Sequence, residues 1–381
     1  MRNFSFVNPV RIEFGRGKEK EIGKYMSEFE AKKAVVLYGS ERVRHSGLLG
    51  VATDDLKAHG IEFVEVGGVK SNPVLSKVNE VIKIAKDFGA DSILAVGGGS
   101  VLDSAKAIAA GACYDGDVWD FFTGKEPNKA LKIFDIITLA ATGSEMNTGG
   151  VVTNEQTRQK YAIQAQCLFP KVSVINPELQ ATVTPEYLVY SASDIIAHSI
   201  EGYFTASYHP ELIRMQIEAN IKMVVKTTEI LLANPDDYDA RAEFAWAATM
   251  ALNGFTYLGV EGYSYPNHMI EHAMSAVTDC PHGAGLSVVI PAWMKWYKDK
   301  NKTAFERFAR EIFGLKTADE GIEALKAWFD KVNTPTALKQ LNIDDKILTE
   351  IIEVANHHSK DWGMSDIYTN DAIAEIFSYA R

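Results

Sequence analysis

The run Ser92-Ile93-Leu94-Ala95-Val96 passes without a break into Gly97-Gly98-Gly99-Ser100, and a helical pattern follows over residues 103–110. A buried strand, a glycine turn and a helix in that order form half of a βαβ unit. Two earlier runs repeat the strand signal. Ala34-Val35-Val36-Leu37-Tyr38 is apolar throughout and stops at Gly39, while Ile61-Glu62-Phe63-Val64-Glu65-Val66 alternates. Helical periodicity over residues 74–88 separates the second strand from the third. Asn72-Pro73 suits the start of that helix, with Asn72 as its cap and Pro73 in the first turn. A further strand is expected at Val10–Phe14, bounded by Gly15 and Gly17. The first half therefore reads as a Rossmann-like α/β domain with a mainly parallel sheet.

From about residue 182 the texture changes. Thr184-Pro185 places a capping hydroxyl before a first-turn proline. Helical patterns then run to Arg381, with breaks expected at Asn234-Pro235, the Tyr263–Pro266 turn, Pro281 and Pro291. Residues 372–377 read as a closing amphipathic helix. The expectation is two domains, an α/β domain over residues 1–182 and an all-helical domain over residues 183–381.

A formal net charge of −11 argues against general affinity for nucleic acid or anionic membranes. No run of 18 apolar residues offers a membrane span, and the N-terminus lacks the core of a signal peptide. Three widely spaced cysteines (Cys113, Cys167, Cys280) give no disulfide framework, which fits a reducing cytoplasm.

The glycine run offers two readings. Glycines let a backbone approach an anion closely, and the helix after them presents free N–H groups and a positive dipole end. The same residues serve equally as a tight strand–helix turn, since neither G-x-G-x-x-G nor a P-loop ending is present. Thr138 and Thr142, in the run Thr138–Glu145, divide similarly between ribose or phosphate contacts and an ordinary helix cap.

In the second half, Asp194 and His198 stand four apart, as do His268 and His272, and Pro281-His282-Gly283 follows. Positions i and i+4 share a helix face. Each pair alone reads as a helix-stabilising or exposed pair. Together with His282 they offer one carboxylate and three imidazoles, Asp194, His198, His268 and His282, a donor set suited to Fe²⁺ or Zn²⁺. His272, one turn beyond a ligand, is then free to handle protons.

In chain order, Phe14-Gly15-x-Gly17, Gly97-Gly98-Gly99-Ser100-x-x-Asp103-x-Ala105-Lys106, Thr142-Gly143-Ser144-Glu145, Asp194-x-x-x-His198, His268-x-x-x-His272 and Pro281-His282-Gly283 resemble the iron-containing (group III) alcohol dehydrogenases, in particular their butanol-dehydrogenase and broad aldehyde-reductase branch. The resemblance spans essentially the whole chain. It implies a dehydroquinate synthase-like architecture, with a nucleotide-binding α/β domain followed by an all-helical metal-binding domain. It implies metal ligation by Asp194, His198, His268 and His282, and pyrophosphate binding by Gly97, Gly98, Gly99 and Ser100. Cofactor contacts fall on Gly39, Ser40, Arg42, Asn72, Thr138 and Thr142. Asp103 and Lys160 match positions lining the nicotinamide end, and with His272 they complete the implied catalytic group. Without the resemblance, Lys160 reads as a solvated charge.

The activity implied is hydride transfer between NAD(P)H and small aliphatic aldehydes or primary alcohols. A homodimer is expected on separate grounds, since the early strand Val10–Phe14 can pair across a two-fold axis and a dimer is the commonest closed oligomer. Members that prefer NAD resemble one another in placing an acid after the first buried strand, where it binds the ribose 2′-OH and repels a 2′-phosphate. Here Ser40 takes that place with Arg42 and Arg44 nearby, so NADP(H) is expected over NAD(H). Iron is expected over zinc. Two other readings remain at this stage: a dehydroquinate-synthase-like lyase and a non-catalytic nucleotide-binding protein. The apolar residues around the metal motifs (Tyr263, Tyr265, Met269, Met274) suit a small apolar substrate better than the lyase's phosphorylated acid.

Overall fold

A computed structural model describes all 381 residues. They form two compact units, one of Val7–Val183 with Pro235–Thr249, the other of Met1–Phe6, Thr184–Asn234 and Met250–Arg381. This departs from a single division at residue 182 in two segments, each for a packing reason. In the α/β unit, most of the helix Tyr238–Ala251 docks on the chain's early strand region. Trp246 meets Phe14 edge-on at 6.1 Å, and Arg16 lies 3.6 Å from the Tyr238 ring centre. In the helical unit, Phe6 packs on Phe255 at 4.8 Å.

The α/β unit holds a six-stranded sheet in the order β1-β8-β5-β4-β2-β3, every pairing parallel. Its strands are β1 (Arg11–Phe14), β2 (Lys33–Tyr38), β3 (Glu62–Val66), β4 (Ser92–Gly97), β5 (Lys132–Ile137) and β8 (Val172–Ile175). The remaining strands, β6 (Gly149–Asn154) and β7 (Gln159–Gln164), form a separate antiparallel hairpin. Successive residues of a strand face opposite ways. Val35, Leu37, Ile93 and Ala95 pack under α1 (Leu75–Phe88) and α2 (Gly99–Ala112), whereas Ala34, Val36, Leu94 and Val96 pack on the helices Ile22–Glu28 and Leu48–Ala58. Both faces are covered, which is why the central strands read as continuous apolar runs.

Three local expectations are corrected. Helix α1 begins at Leu75 with the extended Val74 as its cap residue. Asn72 does not cap it, because its side chain accepts a hydrogen bond from Lys160 instead. Helix α2 starts at Gly99, four residues before the periodic run, so the glycines form its first turn.

In the helical unit, Thr184 accepts from the N–H of Tyr187 and opens α3 (Pro185–Thr205). Helices α4 (Pro266–Thr278) and α5 (His282–Tyr297) follow. The break expected at Pro291 does not occur, and α5 runs through it. Residues 288–294 are buried throughout, and their packing outweighs the roughly 3 kcal/mol that an interior proline costs. No helix is long and apolar enough to cross a membrane.

Candidate active site

Helices α3, α4 and α5 bring Asp194, His198, His268 and His282 together. Asp194 Oδ1 lies 3.6 Å from His198 Nδ1, 3.6 Å from His268 Nε2 and 3.5 Å from His282 Nε2. The ligating atoms of Asp194, His268 and His282 all fall within 4.8 Å of one another. The close approach of helices is permitted by Gly283, where an added Cβ would stand 2.0 Å from the Tyr190 carbonyl oxygen.

These separations are too long for good hydrogen bonds. Ligands about 2.1 Å from one tetrahedral ion stand about 3.4 Å apart, close to what is observed. Asp194 Oδ1, His198 Nδ1 and His268 Nε2 are buried and have no hydrogen-bond partner. Leaving such atoms unmatched costs about 1–3 kcal/mol each, and a divalent cation among Asp194, His268 and His282 would satisfy Asp194 Oδ1 and His268 Nε2 together, whereas His198 Nδ1, 3.6 Å from Asp194 Oδ1, falls outside that group of three. The residues present therefore fit the metal that their spacing suggests.

The electrostatics point the same way. Burial works to raise the Asp194 carboxyl, but its interactions with the neighbouring His198, His268 and His282 rings overcome it and hold it well below the usual range. Burial pushes His198 down to about 3. Burial also opposes protonation of His268, yet Asp194 and Glu201 more than offset it and hold that ring at about 9. The site favours a positive charge beside Asp194, and a metal ion competes with the His268 proton for that place.

Two fully buried carboxylates, Glu201 and Glu271, contact the outer nitrogens of the same imidazoles. Glu201 Oε1 accepts from His268 Nδ1 at 2.9 Å, and Glu271 Oε2 accepts from His282 Nδ1. Sequence reasoning passed over both. The available signal was their spacing, three residues after His198 and three after His268.

His272 is buried one turn beyond His268. Its ring centre lies 5.5 Å from that of His282 and meets Trp362 edge-on at 5.4 Å. Tyr257, Tyr263 and Tyr265 cluster within 4.6–6.1 Å of one another, and Tyr265 stands 5.7 Å from His268. Tyr257 also donates to the backbone oxygen of His198. Trp362 and Tyr257 are further residues that motif spacing did not reveal.

In the α/β unit, the sheet order places β2 and β4 side by side while their following connections run to opposite sides. Ligands bind such sheets at the carboxyl ends of the strands where the order reverses. Tyr38 is in register with Val96, and Gly97 with Ile137, so Gly39, Gly98 and Thr138 emerge along one edge. Helix α2 carries no side-chain cap at Gly98, which leaves its first N–H groups free for an anion.

Of the three glycines, Gly97 and Gly99 are required for space. None of them adopts a positive φ. A Cβ at Gly97 would stand 2.5 Å from Val101 Cγ2, and one at Gly99 would stand 2.4 Å from Thr142 Oγ1. Thr142 thus lies directly against the first turn of α2. Ser100 Oγ donates to the backbone oxygen of Ser71, tying the loop before α1 to the same place.

Lys160 is buried on β7, and its Nζ reaches Asn72 Oδ1 at 3.3 Å, so the solvated-charge reading does not hold. The hairpin is anchored there by the Thr153 N–H donating to Pro73 O at 2.8 Å. Both oxygens of Asp103 are engaged within the unit, accepting from Ser144 Oγ at 2.7 Å and from the Val151 N–H at 3.0 Å. After β2, Ser40 and Arg42 are exposed. Arg44 donates to Tyr38 Oη at 2.8 Å and pairs with Glu41 at 3.1 Å and Glu65 at 2.6 Å.

Residues 9–177 match the iron-containing alcohol dehydrogenase model, and residues 188–380 match the C-terminal model of the Fe-containing alcohol dehydrogenase family. A probable NADH-dependent butanol dehydrogenase 1 of Bacillus subtilis is 37% identical over 93% of this chain and 94% of its own length. The NADPH-dependent aldehyde reductase YqhD of Escherichia coli is 28% identical over the full length of both. The crystal structure of an NADH-dependent butanol dehydrogenase A from Thermotoga maritima, 44% identical, superposes with a TM-score of 0.96 over 100% of this chain and 99% of that one. Matched by both models, which together cover nearly all of its length, this chain belongs to the iron-containing alcohol dehydrogenase family.

Proposed function

We propose that this chain reduces small aliphatic aldehydes to primary alcohols, and runs the reverse oxidation, with NADPH preferred over NADH and Fe²⁺ preferred over Zn²⁺. Its family makes it an NAD(P)-dependent alcohol dehydrogenase. The observation that carries the metal-dependent reading is the set of buried ligating atoms without hydrogen-bond partners around Asp194 Oδ1.

Asp194, His198, His268 and His282 would hold the metal. When bound, the metal supplies Lewis acidity toward the substrate oxygen, and the nicotinamide supplies or accepts the hydride. His272 holds the proton that the substrate oxygen gains on reduction and loses on oxidation. Tyr257, Tyr263, Tyr265 and Trp362 supply apolar walls suited to a short alkyl chain.

Within the glycine run Gly97, Gly98, Gly99 and Ser100, the free N–H groups at the start of α2 receive the pyrophosphate, and Thr138 and Thr142 flank it. Lys160, held by Asn72, stands with Asp103 at the nicotinamide end. The two bonds that Asp103 accepts give it the task of shaping that wall. The NADPH preference rests on three features. Ser40 puts no charge where a 2′-phosphate would sit. Glu41 is drawn toward Arg44. Arg42 is exposed beside Gly39 and Ser40. The relatives are divided, some NADH-dependent and some NADPH-dependent. A cytoplasmic homodimer is part of the same proposal. It is supported by three free cysteines and by the edge strand β1, which pairs only with β8, and light scattering checks it.

The test is metal analysis of protein purified without air, together with butanal turnover using each cofactor. His282→Ala is expected to lose metal and turnover while still binding NADPH. Full turnover by metal-free His282→Ala would refute the assignment.

A further inference from the structure

Two of the three ligand-bearing helices, α3 and α4, carry, three residues after a histidine of the cluster, a carboxylate that holds a histidine of the next helix. His198-x-x-Glu201 on α3 reaches His268 on α4, and His268-x-x-Glu271 on α4 reaches His282 on α5. Residues three apart share a helix face, so each carboxylate lies beside its own helix's histidine and faces the neighbouring helix.

Glu201 is fixed at both oxygens. Oε1 accepts from the backbone N–H of His268 and from its Nδ1, each at 2.9 Å, and Oε2 accepts from Asn267 Nδ2 at 3.0 Å. Glu271 accepts from His282 Nδ1 through Oε2 and from Ser275 Oγ through Oε1. Gly285 makes room for it, since a Cβ there would stand 2.8 Å from Glu271 Oε1. Both carboxylates are wholly buried, and no lysine or arginine pairs with Glu201. A buried carboxylate needs a positive charge close by, and a cation on the far nitrogen of the ring it holds would supply one.

We propose that Glu201 and Glu271 are positioning residues for the metal. They fix the His268 and His282 rings with a proton on Nδ1, so that both Nε2 lone pairs face Asp194. This rests on the metal reading above. An imidazole whose outer N–H is held by a carboxylate is a better-oriented and more basic ligand, and loss of such a partner typically weakens metal binding about 10- to 100-fold.

The experiment is Co²⁺ titration of metal-free protein under argon, with the visible absorption of the bound ion as the second readout. Glu201→Gln and Glu271→Gln keep the side-chain shape and remove the charge. Each is expected to bind Co²⁺ about 10- to 100-fold more weakly, with an altered visible spectrum. Far-UV circular dichroism and NADPH binding of the metal-free variants are expected to match the parent. Gly285→Ala approaches the same question with the carboxylate intact, by displacing it, and is expected to weaken Co²⁺ binding too. It also decides the matter if Glu271→Gln does not fold. Folded variants that bind Co²⁺ with the parent's affinity and spectrum overturn the inference. A parent chain that binds no Co²⁺ overturns instead the metal reading on which it rests.

Discussion

Lys106 Nζ lies 2.7 Å from the carbonyl oxygen of Ser144 and 2.9 Å from its Oγ, with no solvent access. Ser144 Oγ donates in turn to Asp103, so two residues on one face of α2 clamp the loop that carries Thr142. Asn147 and Gly149 add three more oxygen partners for the same ammonium. Burial draws the lysine down to about 8, against the upward pull of Asp103, Asp135 and Glu145. Removing one partner from a buried charge cluster costs about 3–5 kcal/mol. Lys106→Met is therefore expected to lower the denaturation midpoint strongly and to weaken NADPH binding, since Thr142 depends on that loop. A variant within about 1 kcal/mol of the parent would show that the cluster is not structurally required.

The legibility of this fold in the sequence followed the strength of local patterns. β2 and β4 are buried on both faces, so their runs were unmistakable, and Thr184-Pro185 placed the start of α3. The β6–β7 hairpin escaped because Gln159-Lys160-Tyr161-Ala162-Ile163-Gln164 mixes polar and apolar residues without a clear period. Strand β8 has only four residues. Asn72 misled because the residue types that cap helices also serve as acceptors for distant side chains, here Lys160. At the candidate metal centre the i, i+4 spacing exposed the histidines. Glu201 and Glu271 stayed hidden because their partners lie 67 and 11 residues away.

Cofactor choice is expected to turn on the residues after β2. Arg42 is exposed beside Ser40, whereas Arg44 is engaged by Tyr38, Glu41 and Glu65. Hydrogen bonds to charged groups are worth about 1.5–3 kcal/mol. Arg42→Ala is expected to lower kcat/KM for NADPH about 10- to 100-fold and leave the NADH value nearly unchanged, while Ser40→Asp moves the preference toward NADH. A parent enzyme that already favours NADH, or an Arg42→Ala variant that loses both cofactors equally, contradicts the assignment.

His272 is expected to act on protons without holding the metal. Its place is one turn beyond His268, beside His282 and Trp362. General acid–base groups contribute about 10²–10⁴-fold to rate. His272→Phe is expected to lose kcat within that range, with metal content and NADPH affinity retained. If the variant emerges without metal, His272 belongs among the ligands, and the His272–Glu271–His282 grouping gains weight over the Asp194 set.

Metal binding is expected to weaken as the pH falls, because His268 must give up a proton. In the metal-free chain this ring is raised from 6.5 to about 9, burial being outweighed by Asp194 and Glu201. That shift stabilises the metal-free fold fully below about pH 6.5 and is lost as the pH rises through about 9. The metal needs the neutral ring, so its contribution runs the other way. One displaced proton gives about a tenfold gain in affinity per pH unit up to that pKa. Between these limits, the thermal midpoints of the metal-loaded and metal-free forms should draw apart as the pH rises. Calorimetry at about pH 7.5, in buffers of different ionisation enthalpy, should register close to one proton released per metal ion. Release of no proton, with an affinity flat across this range, would mean that His268 is already neutral before the ion arrives and that Asp194 and Glu201 do not hold it charged.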